Sequence, residues 1–567
     1  MTDTEIAIEE TRGEGAGRRG ERIRRVANDV FGWDPLRPGL ERAVAAVLEG
    51  RDVLGVMPTG YGKSAAYRIA GAMLPGTTVI VSPLIALQAD QLAHLAETRG
   101  ARPAALVNST LSASRVEEAW ERLADGSLGY LFLAPEQLAN EQVVERLAAA
   151  DVDLVAVDEA HCVSSWGHDF RPDYLRLGAF ADHLGAASGS RPPILALTAT
   201  GSRPVREEIV ERLRMRDAMI LTHGYDRPNI ALSVVRHADE GAKAAAVLDD
   251  VERLPKPGLL YVATRKATEE YAAALTERGV RAAAYHGGLP AKRRRELSAA
   301  FHDGAAQVVV ATSAFGMGID KADVRFVLHA APPESVDEYY QEIGRAGRDG
   351  EHADTVLHYR SEDLALRRFF ASAVPKRGDL ARLLDALRDL PAVPDAVKAA
   401  GLSARRGTAL ANLLEEAGAV RIEDDRAVVV QDAPDPVGAA LERAEARKRI
   451  DESRLAMMRS YAETTQCRRQ YLLGYFGDTD TGLCCNCDTC ASGQAQAYLD
   501  ERGRPTEEPF PVDSVVTHRE WGDGRVMSIE EDRITVFFES EGYRVLSLPA
   551  VLEHGLLAVT SPSGSPA

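Results

Sequence analysis

The sequence predicts a multidomain α/β protein in which two runs of βα units precede a helical, cysteine-rich segment and a small all-β module. Three observations predict it. Buried-strand patterns alternate with helical patterns in two separate runs between residues 21 and 370. Five of the six cysteines fall between Cys467 and Cys490. Short apolar strands separated by turn signals fill residues 512–557. A chain of 567 residues is expected to hold several domains rather than one core.

Residues 1–20, MTDTEIAIEETRGEGAGRRG, are polar and charged and read as a disordered lead-in with no apolar signal core. The first α/β unit is expected over residues 21–220. Val53, Leu54 and Val56 read as a buried strand, MPTGYGKS (Met57–Ser64) as a glycine-rich turn, and SAAYRIAGAML as the helix after it. Such a turn points backbone N–H groups at phosphate from the positive end of the helix dipole. Thr59, Gly60 and Gly62 belong to the cradle, Lys63 would reach the β- and γ-phosphates, and the Ser64 hydroxyl would hold Mg²⁺. Met57 stands where the usual pattern has its first glycine.

LVAVDEAH gives a second buried strand, ending in two carboxylates. Asp158 suits the Mg²⁺ shell, and Glu159 suits orienting and deprotonating an attacking water. A lone glycine-rich turn is often only a turn. The two patterns in one chain predict nucleotide hydrolysis. Thr198-Ala199-Thr200 follows the strand ILAL, at the strand end where α/β sheets bind ligands, although a helix cap is the commoner role for so short a turn.

The second α/β unit is expected over residues 221–370. LLYVAT (Leu259–Thr264), VVVATSAFGMGID (Val308–Asp320) and RFVLH (Arg325–His329) supply its strands. YYQEIGRAGRDG follows, with Arg345 and Arg348 three apart on one helical face. Paired arginines beside glycines suit γ-phosphate contact, with a surface salt bridge as the plainer alternative.

Residues 376–432 read as three helices, Asp379–Leu390, Asp395–Ala400 and Ala404–Ala417, then a hairpin over Arg421–Val430. That order is a winged-helix pattern, with Ser403 as N-cap and Gly418 as terminator. Arg405 and Arg406 would open its recognition helix and meet DNA; a small packing module is the alternative. Residues 436–491 hold the cysteines. Cys467, Cys484, Cys487 and Cys490 offer four thiolates at a spacing that suits tetrahedral Zn²⁺, whereas Cys485 is left over. Leu441–Gln470 is basic and helical, suited to phosphate contact or to a solvated face. A polar linker is expected over 492–511, four strands of a β-barrel over 512–557, and a disordered tail over 558–567.

The net charge of −18 weighs mildly against a nucleic-acid partner, but a groove can be basic on an acidic protein. No apolar run approaches membrane-spanning length, and a cytoplasmic, nucleoid-associated protein is expected.

These segments together resemble the RecQ family of DNA helicases, in superfamily 2. FGWDPLRPGL, MPTGYGKS, VSPLIALQADQ, AVDEAHCVSSWGHDFRPDY, LTAT, YHGGL, ATSAFGMGIDK and YYQEIGRAGRDG carry the resemblance in order, and CRRQYLLGYFGD…CCNCDTC extends it to Cys490. It implies two RecA-like lobes with ATP between them. Lys63, Ser64, Asp158, Glu159 and His161 would come from the first lobe; Gly318, Asp320, Gln341, Arg345 and the arginine finger Arg348 would come from the second. Trp33 and Arg37 would stack on and contact the base. Trp166, His168, Phe170 and Arg171 would form the aromatic-rich loop linking single-strand binding to hydrolysis, a stacking platform in physical terms. The resemblance also implies 3′→5′ movement on single-stranded or partial-duplex DNA in repair or recombination. An RNA helicase, a translocase that does not unwind and a catalytically weak scaffold are the rivals.

Three departures stand out. Leu40 occupies the position where the family has an adenine-reading Gln, and Ser165 replaces a Gln of the aromatic loop. The winged-helix pattern precedes the cysteines rather than following them. HREWGDGRV…VFFESEGYRVL resembles the Tudor-like barrel at the C-terminus of UvrD-type helicases, which implies a docking role toward a protein or nucleic acid.

Overall fold

The computed structural model describes residues 16–83, 85–108, 110–164, 170–316, 321–370, 374–423, 426–430, 434–478, 482–502, 509–512, 514–529 and 532–561. The chain divides into two compact units, Met1–Tyr225 and Asp226–Ala567. Among the described residues no helix is long and apolar enough to cross a membrane.

Seven parallel strands build the first unit: β1 (Val53–Val56), β2 (Thr77–Val81), β3 (Ala104–Val107), β4 (Tyr130–Leu133), β5 (Val152–Val157), β6 (Ile194–Thr198) and β7 (Met219–Thr222). Their order is β3-β4-β2-β5-β6-β1-β7. VLGV, TTVIV, YLFL and ILALT are buried along their whole length, as inner strands of a sheet covered on both faces must be. β6 lies between β1 and β5, so the turns after these three parallel strands emerge side by side at one edge. β7 pairs with β1 and carries this unit to Tyr225, beyond the expected end at 220. Helix Ala16–Phe31 begins inside the expected lead-in. Ile23 and Ala27 are fully buried in the core of this unit, and Arg19 is ion-paired with Glu49.

The second unit opens with six parallel strands: β8 (Ile230–Arg236), β9 (Gly258–Tyr261), β10 (Ala282–Tyr285), β11 (Val308–Ala311), β12 (Phe326–His329) and β13 (Ala353–Tyr359), ordered β10-β11-β9-β12-β13-β8. Three helices follow, Arg377–Asp389, Val393–Ala399 and Ala404–Glu416, then the antiparallel hairpin of β14 (Val420–Glu423) and β15 (Arg426–Val429). Leu380, Leu384, Val397, Leu410 and Leu414 close a core among them. Gly407 is required where two helices cross: a Cβ there would lie 2.2 Å from Val397 Cγ1. Ser403 stands at the N-cap position without a capping hydrogen bond from its side chain.

Helix Pro436–Glu463 leads to helix Arg468–Tyr475 and the cysteines. The stretch expected as linker contains helix Gln494–Arg502. The C-terminal module is a five-stranded antiparallel sheet: β16 (Val515–His518), β17 (Gly522–Ile529), β18 (Arg533–Phe538), β19 (Gly542–Ser547) and β20 (Leu557–Ser561), ordered β19-β18-β17-β16-β20. Four strands are expected from the sequence. The fifth, β20, comes from the segment read as tail and pairs with β16, and helix Leu548–His554 joins it to β19.

Candidate functional site

In the phosphate loop Gly60 and Gly62 sit at φ 78° and 87°, a region that strongly favours glycine. Gly62 begins helix Lys63–Met73, and Lys63 Nζ donates to the Met57 carbonyl at 3.2 Å. Arg37 Nη1 donates to the Gly60 carbonyl at 2.5 Å, and Tyr61 Oη donates to Pro38 O at 3.0 Å, tying the preceding segment to the loop. Trp33 stacks on Phe31 with centroids 4.7 Å apart, and the Arg68 guanidinium carbon is 6.0 Å from the Trp33 ring centroid. Leu40 is only 2 % exposed and belongs to the hydrophobic core.

After β5, Glu159 adopts φ 48°, ψ 48°, a left-handed conformation that L-residues with long side chains avoid. Asp158 Oδ1 accepts from the Glu159 N–H at 3.0 Å, and Tyr174 Oη donates to Asp158 O at 3.0 Å. Burial, and then the Glu159 charge, push the Asp158 carboxyl up to about 7, while Lys63 pulls the other way. His161 is buried, its Nδ1 3.0 Å from Thr198 Oγ1 and 3.3 Å from Glu159 Oε2. Thr198 therefore ends β6 as a partner of the DEAH turn. The next helix is Arg203–Arg212, with Ser202 at its N-cap, so the helix-cap alternative for Thr198 falls away.

Arg171 donates through Nη1 to Pro83 O at 3.0 Å, and Phe170 beside it is half-buried. Trp166, His168 and Ser165 lie outside the described residues, as do Gly318 and Asp320.

In the second unit helix Val336–Ile343 carries Gln341 and ends before Arg345 and Arg348. The two arginines therefore occupy turns, not one helical face: the helix ends at Ile343, and Gly347 turns the chain at φ 53°. Arg345 is 3 % exposed, and its Nη2 lies 3.3 Å from where a Cβ on Gly316 would stand, while the nearby Tyr261 hydroxyl donates to Phe315 O at 2.8 Å. Arg227 donates to the carbonyls of Ala346 and Gly347, both at 2.9 Å, and Asn229 Nδ2 donates to Gly347 O at 2.8 Å. Arg227, Asn229, Tyr261 and Tyr174 escape sequence reasoning, since each acts on the backbone or a neighbour from a distant segment.

The sulfurs of Cys467, Cys484, Cys487 and Cys490 lie within 4.8 Å of one another, with Cys484 and Cys490 4.0 Å apart. Tetrahedral Zn–S bonds of about 2.3 Å need sulfur separations of about 3.8 Å, so the donor set fits Zn²⁺. Backbone N–H groups of Cys484 and Asn486 point at Cys467 Sγ and Cys484 Sγ, both at 3.4 Å. Cys485 is exposed, with its thiol near Leu483 O. The knuckle also completes the second sheet's edge: Leu232 N–H donates to Asn486 O at 3.2 Å, and Leu232 bridges Cys487.

Two expected phosphate surfaces are largely committed elsewhere. Arg406 pairs with Asp379, while Arg405 is exposed. On the basic helices Arg449 pairs with Glu541, Arg459 with Glu463, Arg454 with Asp451 and Arg468 with Asp488.

Residues 37–208 match the DEAD/DEAH box helicase family, 243–350 the helicase conserved C-terminal domain, and 423–491 the RecQ zinc-binding family. Residues 514–552 match a family described only as a protein of unknown function (DUF3553). The chain is 38 % identical to the probable ATP-dependent DNA helicase RecS of Bacillus subtilis over 347 residues, covering 61 % of this chain and 68 % of that one. It is 40 % identical to the ATP-dependent DNA helicase RecQ of the same organism over 342 residues, covering 60 % and 56 %. It is 33 % identical to RecQ of Pasteurella multocida over 465 residues, covering 82 % and 61 %. The fold is shared with Mycobacterium smegmatis helicase Lhr bound to single-stranded DNA and AMP-PNP, at TM-score 0.50 and 19 % identity over 89 % of this chain and 68 % of that one.

Proposed function

Because this chain belongs to the RecQ family of ATP-dependent DNA helicases, we propose that it couples ATP hydrolysis to 3′→5′ movement along one DNA strand and to strand separation. The observation that carries this reading is the shared edge of the first sheet, where the phosphate loop after β1 and the Asp158–Glu159 turn after β5 flank Thr198. Lys63 and the loop N–H groups bind the β- and γ-phosphates. Ser64 and Asp158 would hold Mg²⁺, which neutralises phosphate charge; a hydroxyl and an ionised carboxylate are the hard oxygen donors this cation takes. Glu159 orients the attacking water and takes its proton. Arg345 and Arg348 steady the γ-phosphoryl oxygens as charge shifts toward the leaving oxygen. Trp33 and Arg37 hold the base.

Phe170, Arg171, Trp166 and His168 report the strand to this site, and Arg405 adds a phosphate contact. The four cysteines hold structural zinc. DNA repair or recombination in the cytoplasm is the setting, and the C-terminal sheet can serve a protein partner. Steady-state ATPase rates with single-stranded DNA, duplex DNA and RNA test the reading. Strong stimulation by single-stranded DNA supports it, and equal or greater stimulation by RNA contradicts it.

A further inference from the structure

The C-terminal sheet, whose family carries no assigned role, packs into the second unit through three buried polar side chains. Tyr475 ends helix Arg468–Tyr475 and donates through its hydroxyl to Asp337 Oδ2 at 2.5 Å. Asp337 sits in the first turn of helix Val336–Ile343, which carries Gln341 and leads directly to Arg345 and Arg348. Tyr543 of β19 packs against the Tyr475 ring, with ring centroids 5.7 Å apart. Asp337, Tyr475 and Tyr543 are 4 %, 7 % and 5 % exposed.

The sheet is seated closely enough to fix this contact. Gly542, at φ 74°, lies where a Cβ would come within 2.3 Å of Ser453 Oγ on helix Pro436–Glu463. Arg449 of that helix donates to Ser540 O at 3.0 Å and pairs with Glu541 at 3.3 Å. With nine acidic and four basic residues between 512 and 557, the module is poorly suited to gripping phosphates.

We propose that the C-terminal sheet is a built-in clamp on the arginine-bearing helix, with Tyr543 holding Tyr475 and Tyr475 holding Asp337 as positioning residues for Arg345 and Arg348. A buried carboxylate at a helix N-terminus is stabilised by the dipole and by its donor. Removing the donor takes one buried hydrogen bond from that carboxylate and loosens the hold on the start of the helix. A small displacement of phosphate-contacting arginines costs turnover more than ground-state binding. The inference rests on the reading of Arg345 and Arg348 as γ-phosphate contacts.

The test is steady-state ATPase kinetics of the full chain at saturating single-stranded DNA, with zinc content, melting temperature and DNA affinity measured alongside. Tyr475→Phe, which removes one oxygen, and Tyr543→Ala should each lower kcat about 5-fold or more while KM for ATP and DNA affinity stay within about 2-fold. Tyr543→Phe should fall between Tyr543→Ala and the parent. The combined Tyr475→Phe/Tyr543→Ala chain should be no slower than the slower single variant, since both act on one contact. Parental kcat in Tyr475→Phe overturns the clamp, and so does a loss of kcat that comes with an equal loss of DNA affinity or of zinc. Arg348→Ala separates the two ideas. If it is inactive while Tyr475→Phe is unimpaired, only the clamp fails. If it turns over like the parent, the reading of the arginines fails and takes the clamp with it.

Discussion

His161 donates from Nδ1 to Thr198 Oγ1 across 3.0 Å, joining the turn after β5 to the turn after β6. The direction follows from the network. Thr198 spends its own proton on the Thr200 carbonyl at 2.8 Å, so its oxygen can only accept from the imidazole. Nδ1 therefore carries hydrogen, and the same N–H faces Glu159 Oε2 at 3.3 Å. The residue that would activate water is thus braced by a partner 39 positions away.

Thr198→Val keeps the shape of this buried position and removes the acceptor. It is expected to lower DNA-stimulated kcat roughly tenfold, with KM for ATP little changed, because a misplaced base acts on the chemical step. Parental kcat in steady-state assays would show that the bond is structural only.

Lys63→Ala and Glu159→Gln remove the groups proposed to meet the phosphate and the water. Each should cost ~10²–10³-fold or more in turnover while DNA affinity by fluorescence anisotropy stays near the parent. Near-parental hydrolysis in either would refute the assignment of the site.

One zinc per chain is expected. Ser at Cys467, Cys484, Cys487 or Cys490 should lose the metal and lower the melting temperature, since binding energy at such a site is folding energy. Cys485→Ser should keep it. Elemental analysis decides, and a zinc-free parent would contradict the ligand set.

Much of this was legible because local chemistry dictated it. The glycines of the phosphate loop, the apolar strands before each turn and the cysteine spacing are all contiguous signals. What escaped was long-range. Nothing near Arg227 announces that its guanidinium clamps the 346–347 backbone, and Thr198 resembles a cap until β6 is seen beside β5. TSPSGSPA reads as a disordered tail, yet Leu557–Ser561 gains its order by pairing with β16. Arg345 and Arg348 share a helical face only if the helix continues past Ile343, and there it gives way to turns, with Gly347 at φ 53°.

Leu40 changes the outlook for base recognition. Placing Gln there to restore an adenine contact would bury an amide in an apolar core, at a cost of about 1–3 kcal/mol when unpaired. Leu40→Gln should therefore melt earlier. Base preference in the parent should rest on Trp33 and Arg37, giving weak discrimination of ATP from GTP in kcat/KM. An unchanged melting temperature together with sharpened ATP preference would show that this position faces the base.

Two buried carboxyls give the second unit a pH dependence. Burial pushes Glu338 up to about 7, helped by the Glu342 charge, and pushes Glu342 up to about 8. Glu342 Oε2 lies 2.8 Å from His329 Nε2, and burial holds His329 down at about 3 and so neutral. Folded values above the ordinary carboxyl range favour the protonated forms in the folded state. That stability is complete below the unfolded pKa and is lost as pH rises through 7 to 8. His329 works oppositely, but only below its unfolded value of 6.5. Between pH 6.5 and 8.5 the melting temperature should fall, and Glu342→Gln should flatten the slope. A rise over that interval in calorimetry would contradict it.

The central claim is that hydrolysis at the first sheet's edge drives strand separation. Unwinding of DNA duplexes carrying a 3′ or a 5′ single-stranded tail, with ATP and Mg²⁺, tests it most directly. The account predicts separation of the 3′-tailed duplex by the parent chain and none by Glu159→Gln, although both bind it. Brisk DNA-stimulated hydrolysis with no separation of any tailed or forked duplex would contradict it.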